Sequence, residues 1–98
     1  MIKRIVKLTF RREETENFIE IFNQSKDKIR ARPGCHYLEL LRGTRDTNVF
    51  FTYSFWDSEE DLNAYRHSEL FKTTWAKTKA LFGDKPEAWS VDSLNVIE

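Results

Sequence analysis

The first hydrophobic positions alternate. Ile2, Val6, Leu8 and Phe10 share one face, interrupted by Arg4, while Lys3, Ile5, Lys7 and Thr9 share the other. This period of two predicts a strand over residues 2–10. From Glu13 to Ala31 the period lengthens. Phe18, Ile21, Phe22, Ser25 and Ile29 recur at three- and four-residue steps, which predicts a helix with one buried stripe. Acidic residues open this helix, and Lys28, Arg30 and Arg32 lie near its end, matching the helix dipole. Pro33-Gly34 stops it.

Residues 35–42 and 49–56 read as a second and third strand. The short polar segment between them, Gly43 to Asn48, predicts an antiparallel hairpin. Asp57 offers an N-cap, with Glu60 three residues on, and a helix is expected from Ser58 to about Arg66. Ser68 caps a further helix with Leu70, Phe71, Thr74, Trp75, Thr78, Leu81 and Phe82 as its apolar stripe; Gly83 and Pro86 end it. Ala88 to Val96 reads as the last strand. The order β-α-β-β-α-β, with its second helix in two pieces, predicts a ferredoxin-like α+β fold, one domain over residues 1–98 with a four-stranded antiparallel sheet.

The third strand is apolar on both sides. Val49, Phe51, Tyr53 and Phe55 lie on one face; Phe50 and Trp56 lie on the other, flanking Thr52 and Ser54. The second strand places Leu38 and Leu40 on one side and Tyr37 and Leu41 on the other. Helices cover only one face of such a sheet, so the other face is expected to be covered by a second copy, giving a homodimer. The alternative is a scatter of exposed apolar residues of the ordinary kind.

Composition sharpens this picture. Eight Phe, three Trp and three Tyr in 98 residues are a heavy aromatic load, which points to an interface or a pocket for a small-molecule ligand. Sixteen basic residues balance sixteen acidic ones, so there is no basic field for nucleic acid. No apolar run approaches the roughly 18 residues of a membrane span, and residues 1–4 do not lead into a signal peptide. The lone Cys35 fits a reducing compartment, and the expected location is cytoplasmic.

Several motifs, taken in order, are similar to a known family. These are Arg32-Pro33-Gly34-Cys35 followed by Tyr37-Leu38-Glu39-Leu40, then Phe55-Trp56-Asp57-Ser58-Glu59-Glu60-Asp61-Leu62, then Ser68-Glu69-Leu70-Phe71. The chain resembles the antibiotic biosynthesis monooxygenase family of the dimeric α+β barrel superfamily. The resemblance implies a homodimer and a cofactor-independent monooxygenase acting on a small aromatic or quinol-type substrate. It leaves open a non-catalytic ligand-binding dimer, or an isomerase or dehydratase of the same superfamily. Family members often carry a His-x-x-Ser-x-His-Phe pattern. Anchored on Ser68 and Phe71, its two His positions fall here on Tyr65 and Leu70, and His67 is out of register. The Asn, Trp and axial His of haem-degrading relatives fall near Val6, on Tyr65 and on Trp75. An indole has no lone pair for iron, so no haem, metal or other cofactor is expected.

The candidate site residues follow. His67, at the helix break beside Ser68, and His36, at the start of the second strand, are the two candidate bases. Either also fits as a polar residue with a structural partner. Tyr65 and Trp75 occupy the relatives' functional positions and, with Phe71, suit the walls of a pocket for a flat ligand, or the core. Trp56 and Tyr53 could line the same pocket, or fill the core or an interface. Arg4 interrupts an apolar face; a cation there needs a partner, either a helix carboxylate or an anionic group of a ligand. Cys35 reads as a small hydrophobe.

Overall fold

The computed structural model describes residues 1–98. Its elements are β1 (Ile2–Thr9), a single 3-10 turn (Arg12–Glu14), α1 (Thr15–Arg30), β2 (Cys35–Arg42), β3 (Val49–Trp56), α2 (Glu59–Arg66), α3 (Glu69–Lys79) and β4 (Glu87–Val91). The strands form one antiparallel sheet in the order β2-β3-β1-β4, the ferredoxin-like arrangement.

Register sorts the side chains into two faces. Leu8 pairs with Phe50, Val6 with Thr52, Arg4 with Ser54 and Ile2 with Trp56, and this row faces the helices. Its apolar members make the core. Leu8, Phe10, Phe18 and Phe50 form one buried cluster, with the rings of Phe10 and Phe18 stacked 4.2 Å apart. Cys35, Trp56 and Leu62 form a second cluster, against which Tyr65 packs. The α1 stripe falls where its period places it: Phe18, Ser25 and Ile29 are buried, and the Ser25 hydroxyl donates to the Ile21 carbonyl at 2.9 Å.

The opposite face has no helix over it. Tyr37, Leu41, Trp89 and Val91 are 39–44% exposed. Tyr37 stacks on Phe55 at 4.6 Å, Tyr53 meets both rings edge-on, and the Lys3 ammonium sits 4.6 Å above the Phe55 ring.

Four local details differ from the sequence expectations. Ser58, not Asp57, caps α2: its hydroxyl accepts from the Asp61 N–H at 3.1 Å, while the Asp57 carboxylate is engaged by His36. β1 ends at Thr9, and Phe10 makes only an isolated bridge to Phe82. A bulge separates Cys35 from Tyr37, so His36 leaves the alternation it shares in sequence with Leu38 and Leu40. β4 stops at Val91 rather than Val96. Val91 pairs with Lys3, so β1 offers only Met1 and Ile2 beyond that point, and the ladder runs out of partner. Leu94, Val96 and Ile97 are exposed. Ser68 caps α3 as expected, accepting from the Phe71 N–H at 3.1 Å.

Candidate active site

A cavity of about 100 Å³ lies between the sheet and the helices. Phe18 and Phe22 of α1 close one side and Leu38, Thr52 and Ser54 of the sheet form its floor. Tyr65, Phe71, Thr74 and Trp75 of α2 and α3 close the other side. Phe71 and Trp75 stack at 5.7 Å with their planes 10° from parallel, and Tyr65 meets Phe71 edge-on at 5.3 Å. These three rings project together because the Ser68 cap starts α3 at the register where 71 and 75 face the sheet, one turn apart.

The polar groups of the wall divide into committed and free. The Ser25 and Thr78 hydroxyls donate to carbonyls of their own helices, and the Ser54 hydroxyl accepts from the Trp56 indole N–H at 3.0 Å. The hydroxyls of Thr52, Tyr65 and Thr74 donate to no group of the chain. Burial pushes the Tyr65 phenol up to about 12, with Cys35 adding to the rise and Arg32 opposing it. At neutral pH this hydroxyl therefore keeps its proton and acts as a donor. The Nε of Arg32 is buried without a partner.

A second recess of about 160 Å³ adjoins the cavity and shares Val6, Phe71 and Trp75 with it. Arg4 of β1 and Arg66 of α2 line it, with Leu62, Pro86, Glu87 and Ala88. Burial, followed by repulsion from Arg66, pulls Arg4 below the usual arginine value, and Glu59 acts in the other direction. No carboxylate lies within 4.0 Å of either guanidinium; Arg4 donates to the Ser90 hydroxyl at 3.0 Å. The helix carboxylate salt bridge that the sequence allows for Arg4 is thus not formed.

The remaining sequence-selected residues fall elsewhere. Trp56 is 1% exposed and stands behind Tyr65, forming the wall's support rather than its surface. Tyr53 lies on the open face of the sheet, because neighbours of odd separation in a strand point oppositely; β3 cannot send both Tyr53 and Trp56 into one pocket. His67 ends α2 exposed, with Nδ1 2.8 Å from the Asn63 carbonyl. A carbonyl oxygen only accepts, so Nδ1 carries a hydrogen in this contact. His36 is half exposed, with Nε2 2.8 Å from Asp57 Oδ1, and lines a shallow cleft beside Phe22, Lys26 and Arg30. Neither imidazole lines the aromatic cavity. No three His, Cys, Asp or Glu side chains converge as metal ligands would. Cys35 is buried, and burial raises its thiol above the ordinary value.

Reasoning from sequence overlooked Arg66 and the free hydroxyls of Thr52 and Thr74. Thr52 had a signal: it sits between Phe50 and Ser54 on the core-facing row of β3, where an apolar residue is the norm. Arg66 had none, since an arginine in the last turn of a helix ordinarily faces solvent.

Solved structures share this architecture. One crystal structure of an antibiotic biosynthesis monooxygenase superposes with a TM-score of 0.91 at 18% identity, covering 97% of this chain and all of that one. A protein from Nitrosomonas europaea, named as a candidate antibiotic biosynthesis monooxygenase, gives 0.90 at 17% identity over 95% of this chain and 89% of its own. A similarly named protein from Caulobacter crescentus gives 0.89 at 19% identity over 96% and 90%. At such identities the likeness shows the fold. No curated protein matches the chain. No helix is long and apolar enough to cross a membrane. The model of the family described as antibiotic biosynthesis monooxygenase matches residues 1–77, from β1 through most of α3, and the chain belongs to that family.

Proposed function

We propose that this protein is a monooxygenase that takes a small, electron-rich phenol or quinol into the cavity between sheet and helices and oxygenates it with O₂. One observation carries the reading: three stacked or edge-on aromatic rings enclose a cavity whose free polar groups are all hydroxyl donors. Such a wall accepts a flat ring and stabilises negative charge as it develops on the ring oxygen. Tyr65 supplies the strongest of these donors, because a phenol is a more acidic donor than the aliphatic hydroxyls of Thr52 and Thr74.

The chemistry runs on the substrate's own electrons. Loss of a proton gives a carbanion or phenolate; one electron passes to O₂, the two radicals join as a peroxide that takes up a proton, and water leaves to form a carbonyl. In the keto tautomer of the phenol, a ring CH₂ and O₂ thereby become a ring C=O and H₂O. The protein excludes bulk water, orients the ring and holds the anion. The proton leaves the cavity by water relay, to solvent or to His67 at the α2–α3 junction, since no imidazole lines the wall. His36 is tied to Asp57 in a different cleft and takes no part.

The working unit is a homodimer formed through the open sheet face. That face carries Tyr37, Leu41, Trp89 and Val91 together with Lys3, Lys7, Glu39 and Glu87, so a two-fold partner meets both apolar surface and charges of each sign. An ordinary interface buries about 800 Å² per subunit, an area that one face of a four-stranded sheet supplies.

A second reading, ligand binding without turnover, is favoured by one fact: no imidazole or carboxylate is on the cavity wall. Oxygen-electrode traces with single-ring hydroquinones separate the two, with ligand binding measured in parallel by thermal shift. Saturable O₂ uptake supports the oxygenase. Flat traces with saturable stabilisation support the binding protein, and flat traces without stabilisation contradict both.

A further inference from the structure

The recess beside the aromatic cavity holds two cations and no ion-paired anion. Arg4 and Arg66 come from different elements, β1 and α2, and both line the same space of about 160 Å³. Like charges brought together on a partly enclosed apolar wall repel, and the arrangement is favourable only when an anion joins them. The chain does not provide that anion. Glu87 also lines the recess, but its carboxylate is 3.9 Å from the Lys7 ammonium on the far side of β1. Glu59 favours the Arg4 charge from beyond ion-pair range. Arg4 spends one donor on the Ser90 hydroxyl and keeps the rest of its planar fork; the Arg66 side chain makes no hydrogen bond.

The recess does not stand alone. Phe71 and Trp75 form a wall common to it and to the inner cavity. The inner cavity, about 100 Å³, is smaller than the roughly 150 Å³ that holds benzene, so a single ring fills it and extends into the adjoining recess. Val6, Phe71 and Trp75 border both spaces, so a ring against them lies next to the space that the two guanidiniums line.

We propose that Arg4 and Arg66 form a carboxylate-binding subsite, and that the protein's ligand is a single-ring hydroxylated aromatic acid whose ring enters the cavity while its carboxylate meets the two guanidiniums. This rests on the cavity's being the ligand site, as argued above, and adds the substrate class. A planar carboxylate matches the guanidinium fork, and the Ser90 hydroxyl beside Arg4 is a further donor to it. Uncharged quinols lack that anchor.

Calorimetric titration under nitrogen with two matched probes, gentisate and hydroquinone, tests this without any turnover. Gentisate is expected to bind at least about tenfold more tightly, since one charge-assisted bidentate contact is worth that much. Arg66 is exposed, so Arg66→Gln preserves the fold; it is expected to cut gentisate affinity at least about fivefold and leave hydroquinone unchanged. Arg66→Lys should restore part of the loss, and Arg4→Gln, checked for an intact melting transition, should repeat the selective effect. Equal affinities for the two probes, or equal losses of both in Arg66→Gln, would overturn the proposal. If gentisate binds selectively but consumes no O₂, the oxygenase reading fails and the subsite stands.

Discussion

The indole of Trp56 stacks on the phenol of Tyr65, with ring centroids 5.1 Å apart and planes 19° from parallel. The indole is itself fixed by its N–H bond to the Ser54 hydroxyl and by near-complete burial. The end of β3 thus sets where the α2 phenol stands at the cavity. Trp56→Ala removes the largest fully buried side chain and is expected to cost about 3–5 kcal/mol of stability, read by urea denaturation. Trp56→Phe keeps a ring but loses the bond to Ser54. It should cost less than Trp56→Ala and still weaken ligand binding at the cavity.

Tyr65 makes a pH-dependent contribution whose sign follows from its burial. Its phenol titrates at about 12 in the fold, against about 10 in an unfolded chain. The folded state holds this proton more tightly, so the contribution is complete below pH 10 and is lost as pH rises from 10 through 12. The expected loss is roughly 2–3 kcal/mol at the top of that window. Tyr65→Phe should flatten this part of the stability curve. Absorbance titration near 295 nm should show one tyrosine ionising last, absent in Tyr65→Phe. Tyr37 is also raised, chiefly because its hydroxyl donates to Glu39, and a Tyr37→Phe background keeps the two apart.

Much of the fold is legible because each element carries its own period. The α1 stripe, the two-faced apolar β3 and the Ser68 cap need only local spacing, and all are found in place. Details that depend on a partner were not legible. The length of β4 is set by how far β1 extends opposite it, and the Asp57 carboxylate meets His36 at the end of the neighbouring strand while Ser58 takes the cap. At the site, Tyr65, Phe71 and Trp75 were readable from helical spacing and do converge. Arg4 was readable as an anomaly on an apolar face, but its companion Arg66 was not. Only the tertiary fold brings the two around one recess. Tyr53 shows the reverse case: strand alternation alone assigns it to the open face.

Gly34 sits at φ +83°, the left-handed region that side chains avoid, and a Cβ there would run into the Asp61 carboxylate. Its carbonyl also accepts from the Asp57 N–H at 2.9 Å, which ties the end of the α1–β2 loop to the start of α2. Gly34→Ala is expected to destabilise the protein by about 1–3 kcal/mol, from backbone strain and displacement of the Asp61 side chain. A melting temperature equal to that of the parent would show that the loop relaxes freely.

The open sheet face gives an oligomeric prediction. Light scattering at micromolar concentration is expected to return twice the chain mass of 11.7 kDa. Trp89→Lys and Leu41→Lys place charges on that face at positions already exposed in one subunit, so each should yield a folded monomer. A monomeric parent would remove the clasped-sheet dimer.

The claim on which the rest depends is that ligand enters the cavity bounded by Thr52, Tyr65, Phe71 and Trp75. Amide chemical-shift mapping during titration with hydroquinone under nitrogen tests it most directly. The largest shifts are expected at those four residues, with Leu41 and Trp89 on the open face and His36 in its separate cleft unmoved. Shifts confined to the open face or to the His36 cleft, or none at saturating ligand, would contradict the account.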